Sequence, residues 1–430
     1  MIGQLFAIAR NTFIESIRQP IFIIMIGVGV LGLMMNLGLS TFTLKDDNKL
    51  LLDMGMATIF VCGLVIAAFT ATSVLAEEIE KKTALTVVSK PVGRPIFIFG
   101  KYLGVSAAIL VAAVILSIAF MMTVRHEVLQ RAGDEWDWPV IVFGFGAIGL
   151  AVALGIWGNY FYDWMFNSVA IGALLPLSII AWLLVLAFDK TWQFQLFQAQ
   201  YNHWVSPDLD PQMILALVAL GMALLVMTAV AIAASARLGQ VMTIFVCVGV
   251  FMAGLLSDYL FGQRVYETKS VATITEIEYG RDTDDDFSDD GDYYLIKVDR
   301  GVDLREGMEV DIAADPVGLS TVIRRDEGSA VQVRNLNQRE AELVRIGDGP
   351  VSRVPRAGDY LLSGPPEVNQ GWRVAWAILP NFQFLILIDP LTQRHIIPLR
   401  HMALLAGYSA IYITGLLSLA VILFQTREVG

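Results

Sequence analysis

The chain has only four histidines and two cysteines, and none of them stands in a complete constellation. His126–Gln130, HEVLQ, begins like a zinc-protease helix, in which two histidines four residues apart share one metal. Gln130 stands where the second histidine would be, so a ligand is missing. Gly93–Lys101, GRPIFIFGK, carries the glycine and lysine of a phosphate loop. Its spacing is too long, and Tyr102 replaces the hydroxyl that would bind magnesium. Arg281–Asp292, RDTDDDFSDDGD, is the densest set of oxygen ligands. Its offsets match no calcium loop, so a self-repelling hairpin tip is the plainer reading, with calcium held by Asp282–Asp292 as the sharper one. No nucleophile can be placed beside a base. Catalysis is therefore not expected of this chain, and neither a metal nor a cofactor is implied.

One cluster remains, AEEIEKKTALTVVSKPVGRPIFIFGKYLG, residues 76–104. Glu77, Glu78 and Glu80 are followed by Lys81, Lys82, Lys90, Arg94 and Lys101, far more charge than a passive connector between two membrane helices requires. The pattern predicts a short helix at Lys81–Val88, with the acids at its N-terminal end, where the helix dipole favours them. Pro91 and Pro95 stop it, and Gly100 turns the chain back. On pattern alone a solvated loop is an equal reading.

The elements that must position this link are membrane spans. The chain is 56% hydrophobic and 17% charged, which places it among membrane proteins. Eight stretches reach the length of about 20 residues that a bilayer core demands: 20–40, 57–76, 101–123, 138–158, 166–188, 212–234, 241–262 and 402–424. The segment 376–389 is apolar but broken by Pro380 and Asn381, and reads as interfacial or re-entrant. In residues 1–19, Ile2, Phe6, Ala9, Phe13 and Ile17 form one stripe, the pattern of a helix lying in the interface. No cleavable leader is expected, because no A-x-A-like site follows the first apolar stretch. Gly100-x-x-x-Gly104 and Ala151-x-x-x-Gly155 would permit close helix packing. An even number of spans puts both termini on one side. Nine basic residues near span ends there, against seven opposite outside the acidic domain, favour the cytoplasm. The middle of the membrane carries no ionisable residue, which argues against an ion-coupled carrier. Cys62 and Cys247 fall in apolar runs, so no disulfide framework is expected.

Residues 264–375 differ from all of this. Between Arg264 and Arg373 there are 23 acidic and 14 basic residues, nearly all of the chain's excess acid. The runs VATITEIEY, YYLIKVD, MEVDIAA, LSTVIRR, SAVQVRNL and ELVRIG are separated by Gly- and Asp-rich turns, and predict a small barrel or sandwich. The expected fold is an all-α polytopic membrane protein of about eight transmembrane helices with an inserted extracytoplasmic β-rich domain. Its parts are an interfacial helix (1–19), a transmembrane domain (20–262), the acidic domain (264–375), and an interfacial segment with the last span (376–430).

The link and its surroundings resemble type-2 ABC exporter permeases, above all those of nitrous-oxide-reductase maturation systems. The shared pattern in the loop before the third span is an acidic start (Glu77, Glu78), Lys82–Thr83, Ser89–Lys90–Pro91–Val92 and Gly100–Lys101. ARNTFIESIRQPIF is similar to the family's elbow helix, AASARLGQVMTIFVCVGVF to a later cytoplasmic turn, and LPNFQFLILIDP with ILFQTREV to the flanks of its last span. The resemblance implies a bacterial cytoplasmic membrane and a coupling helix in segment 77–100 that seats on a separate ATPase, which would hold the ATP and magnesium. Its contacts would come from Glu77, Glu78, Glu80, Lys81, Lys82, Thr83, Lys90, Pro91 and Arg94. A second permease copy is also implied, and a partner in the envelope would meet the outer domain. Six spans and no outer domain are usual in the family, and this chain departs from it in both. The competing expectation is a membrane anchor that presents the β-domain without moving a substrate. No basic face for nucleic acid is present.

Overall fold

The computed structural model describes residues 2–40, 47–80, 93–128, 136–190, 192–194, 210–280, 293–299, 304–313, 330–337, 340–346, 355–392 and 396–425. Two compact units emerge, Met1–Met252 with Phe382–Gly430, and Ala253–Asn381.

The first unit is helical. After α1 (Ile2–Arg18) come α2 (Pro20–Ser40), α3 (Asp47–Glu80), α4 (Arg94–His126), α5 (Trp138–Tyr162), α6 (Phe166–Ala187), α7 (Pro211–Ser235) and α8 (Gln240–Leu255). Among the described residues seven helices are long and apolar enough to cross a membrane: α2 to α7, and the last, Leu399–Gln425. The expected count was eight. Segment 241–262 does not form one long helix, because α8 stops after 16 residues and a π-helical turn, Asp258–Gly262, follows. Sixteen residues rise about 24 Å, short of a hydrocarbon core of about 30 Å. Asp258 marks the break: its Oδ1 accepts from Trp376 Nε1 at 3.1 Å and Asn381 Nδ2 at 2.7 Å, a polar set that a hydropathy sum over the segment passes over.

Helix α7 is the most buried of the seven and packs on α3 and α4. Ala216, Ala219, Ala223, Ala229 and Ala231 are buried along it, and their small side chains let neighbouring backbones approach. Helices α5 and α6 form a hairpin that packs on α4 through Ile118, Met122, Ala147, Ala181, Trp182 and Val185.

The described residues of the second unit form a closed antiparallel barrel of six strands: β1 (Tyr266–Gly280), β2 (Tyr293–Val298), β3 (Glu309–Ala313), β4 (Ala330–Asn337), β5 (Glu340–Ile346) and β6 (Tyr360–Val368), in the order β1-β2-β5-β4-β3-β6. Side chains two apart fill it, as in Ile296/Val298, Val331/Val333 and Ala341/Leu343, while closure removes the open sheet edges. Of the expected strands, LSTVIRR lies outside the described residues. Among the described residues a strand not expected from the sequence, YLLSGPPEV, is present; its two prolines argue against a strand in a linear reading. They fall where the β1–β6 register shifts, between Lys269↔Ser363 and Glu267↔Glu367, so the ladder does not require their missing N–H groups. The turns before β3 and β6 share one design. Gly307 (φ 84°) and Gly358 (φ 95°) occupy the left-handed region, and each donates its N–H to another part of the barrel, Val333 O and Ile274 O, both at 2.8 Å.

Past the barrel, α9 (Gln370–Ile378) ends before Pro380, short α10 (Ile388–Thr392) follows, and α11 (Leu399–Gln425) packs on α7. Segment 376–389 is thus broken where Pro380 and Asn381 suggested. Phe382 is fully buried against Phe60 and Phe251.

Candidate functional site

The described part of the charged link is the root of α4. Gly93 caps the helix and Pro95 sits in its first turn, where its missing N–H costs no hydrogen bond. The helix therefore includes most of GRPIFIFGK, which is not a phosphate loop. Arg94 Nη1 donates to the carbonyl of Gln425, the last described residue of α11, at 3.3 Å. One turn on, Phe97 stacks on Phe424 with ring centroids 5.7 Å apart.

The other side of the root is held by α1. A Cβ at Gly100 would stand 2.7 Å from Ile8 Cγ2, and one at Gly104 would stand 2.5 Å from the Ala9 carbonyl oxygen. Only glycine admits this approach. The packing face of α1 is therefore Ile8, Ala9, Thr12 and Ser16, narrower than the apolar stripe read from the sequence. Of that stripe, Ile17 is buried, whereas Ile2 and Phe6 are 85% and 70% exposed. The glycine groove accepts the small face of α1 and turns its bulky end outward.

Between these contacts lies Lys101, 2% exposed, with Nζ 3.6 Å from Glu15 Oε2 on α1 and 5.6 Å from the centre of the Phe97 ring. A buried ammonium requires such company: a carboxylate and a ring face offset its desolvation. Further contacts tie α1 into the same end of the helices. Gln19 Nε2 donates to Ser73 Oγ on α3, Arg18 Nε to Ser168 Oγ at 3.3 Å, and Asn167 Nδ2 to Arg18 O at 3.0 Å.

Glu77, Glu78 and Glu80 belong to the C-terminal turns of α3 rather than to the start of a separate helix. Helix α3 is 34 residues long and carries its hydrogen-bond ladder through them, so their backbone lies at the end that a dipole makes unfavourable for acids. Lys81, Lys82, Thr83, Lys90 and Pro91 lie outside the described residues, as do the expected helix Lys81–Val88 and the acidic run Asp282–Asp292. Ala151 is buried, and a Cβ at Gly155 would stand 2.7 Å from the Phe166 ring and 3.1 Å from Ala170 Cβ on α6. Both small-residue pairs thus meet neighbouring helices of the same chain.

The opposite end of α4 holds a constellation that the sequence did not suggest. Arg125 donates from Nε to Asp137 Oδ2 at 3.1 Å, and from its two terminal nitrogens to the carbonyls of Val185 and Phe188, each at 2.5 Å. Asp137 is fully buried, and its other oxygen caps α5 by accepting from Val140 N at 3.1 Å. In a linear reading these two residues are loop charges 12 positions apart. The same end shows Asn36 Nδ2 donating to Leu51 O, and Ile397 N donating to Gln212 Oε1. His126 is the last residue of α4, and Glu127 has a φ of 61°, so α4 ends at the first residue of HEVLQ, whereas a zinc protease needs the helix to carry on from it. Among the described residues no group of three or more His, Cys, Asp or Glu could hold a metal. Cys62 and Cys247 are buried free thiols.

No family model, curated protein or solved structure matches the chain.

Proposed function

We propose that this chain is the membrane subunit of an ABC exporter, driven through segment 77–100 by a separate ATPase and paired with a second permease copy in a bacterial cytoplasmic membrane. The observation that supports this reading most is the double grip on the root of α4. A peg can transmit a push only if the rod behind it cannot yield locally. Here the rod's first three turns are held by α1 through Gly100, Gly104 and Lys101, and by α11 through Arg94 and Phe97. A load entering at residues 77–93 would therefore reach α1, α4 and α11 together. ATP and magnesium belong to the partner. In this reading the termini are cytoplasmic, the barrel is on the outer side, and cargo is hydrophobic or amphipathic.

The test is native purification with an ATP-hydrolysis assay. The double charge reversal Lys81→Glu and Lys82→Glu should reduce recovery of the ATPase at least tenfold while membrane insertion stays normal. Unchanged recovery sinks the proposal. The anchor reading draws on a different observation, the barrel's closed sheet and its own core. A preparation that is free of any ATPase and still holds an envelope protein through the barrel would favour it.

A further inference from the structure

A half-open cavity of about 400 Å³ lies along one half of α4, within the range of small-molecule sites. Its floor is α4 from Ile115 to His126, one wall is α2 through Met34 and Leu37, and the other is α5 through Gly144 and Ile148. The lining is apolar along its whole length. The two hydroxyls on it are turned back onto their own helices, Thr123 Oγ1 to Phe120 O at 2.7 Å and Ser178 Oγ to Leu175 O at 2.8 Å. Polar character gathers at one end only, where the His126 and Trp136 rings meet edge to face at 5.9 Å. Arg125, next to His126, is committed to Asp137 and two carbonyls.

Length decides what fits. Eleven steps from Ile115 to His126 rise about 16 Å, while half of a hydrocarbon core of about 30 Å is about 15 Å. The groove thus matches the depth of one leaflet, with an interface-type aromatic and an imidazole at its outer end. Water gains nothing in an apolar space of this kind. We infer that the groove seats one acyl chain of a bilayer phospholipid from the leaflet at the Arg125 end, with its headgroup level with His126 and Trp136. The inference stands independently of any coupling to an ATPase.

The full chain would be reconstituted in phosphatidylcholine vesicles carrying phosphatidylcholine with a diazirine midway along one acyl chain. After irradiation, labelled peptides are mapped. Labelling of residues 115–126 and 140–148 should exceed that of the exposed face of α5 around Ala153 several-fold. Ala119→Phe, which fills the floor, should cut it at least fivefold, while Ala153→Phe leaves it unchanged. Gly144→Phe, on the wall, provides a second filling variant if the first does not fold. Uniform labelling of all apolar helices would mean bulk lipid contact and overturn the inference, with or without a folded variant. Groove labelling that both filling variants leave intact would overturn it as well.

Discussion

Arg125 and Asp137 depend on each other. With Asp137 fully buried and Arg125 bonded to the end of α6, removing either partner strands a charge in an apolar surround. Arg125→Met should lower stability by about 3–5 kcal/mol, measured by denaturant unfolding in detergent. The double variant Arg125→Met with Asp137→Leu should be less damaged than the single, because no unpaired charge remains. A double variant worse than both singles would show that the helix cap on Val140 matters more than the charge. In a one-dimensional reading both residues look like solvated loop charges. Nothing in their local sequence says that a chain turn returns one beside the other, or that α6 ends against them.

Gly104 raises the question at the level of helices. A GxxxG spacing states that something can come close but not what comes close, and here the partner is α1. Gly104→Val would push a side chain into the Ala9 carbonyl and should cost about 1–3 kcal/mol through overpacking. Gly407→Val on α11, where a side chain meets nothing within 4 Å, should stay within about 0.5 kcal/mol. Equal effects on the unfolding midpoint would refute the seam between α1 and α4. Strand turns obey the same logic. Gly358 needs a positive φ, so Gly358→Ala should destabilise the barrel by about 1–2 kcal/mol. Helix ends are the least legible elements: α3 runs through the acids that pattern reading assigns to the start of another helix, since capping and dipole preferences are worth far less than continuing a ladder.

For the whole molecule, the barrel is an insertion with its two ends adjacent. Tyr266 pairs with Val368, and Asn369 N donates to Val265 O at 2.8 Å. Replacing residues 266–368 by a short Gly/Ser linker should therefore leave the membrane unit inserted and folded, as read by detergent-extracted monodispersity and unaltered helical circular dichroism. Loss of the membrane unit on excision would contradict the two-unit architecture.

The sequence by itself determined what depends on summed hydrophobicity and on period: apolar stretches of spanning length, an acidic β-rich insertion, a helix before the first span, and a charged link between the second and third. These are local quantities, and the solvent acts on each segment separately. Only the tertiary structure decided that α8 stops short at Leu255, that YLLSGPPEV closes the barrel, and that the small face of α1 lies in the glycine groove of α4. It alone decided that Arg125 finds Asp137. Each of these depends on which surfaces are brought within a few ångströms of one another, and short-range contact energy leaves no trace in the composition of either partner.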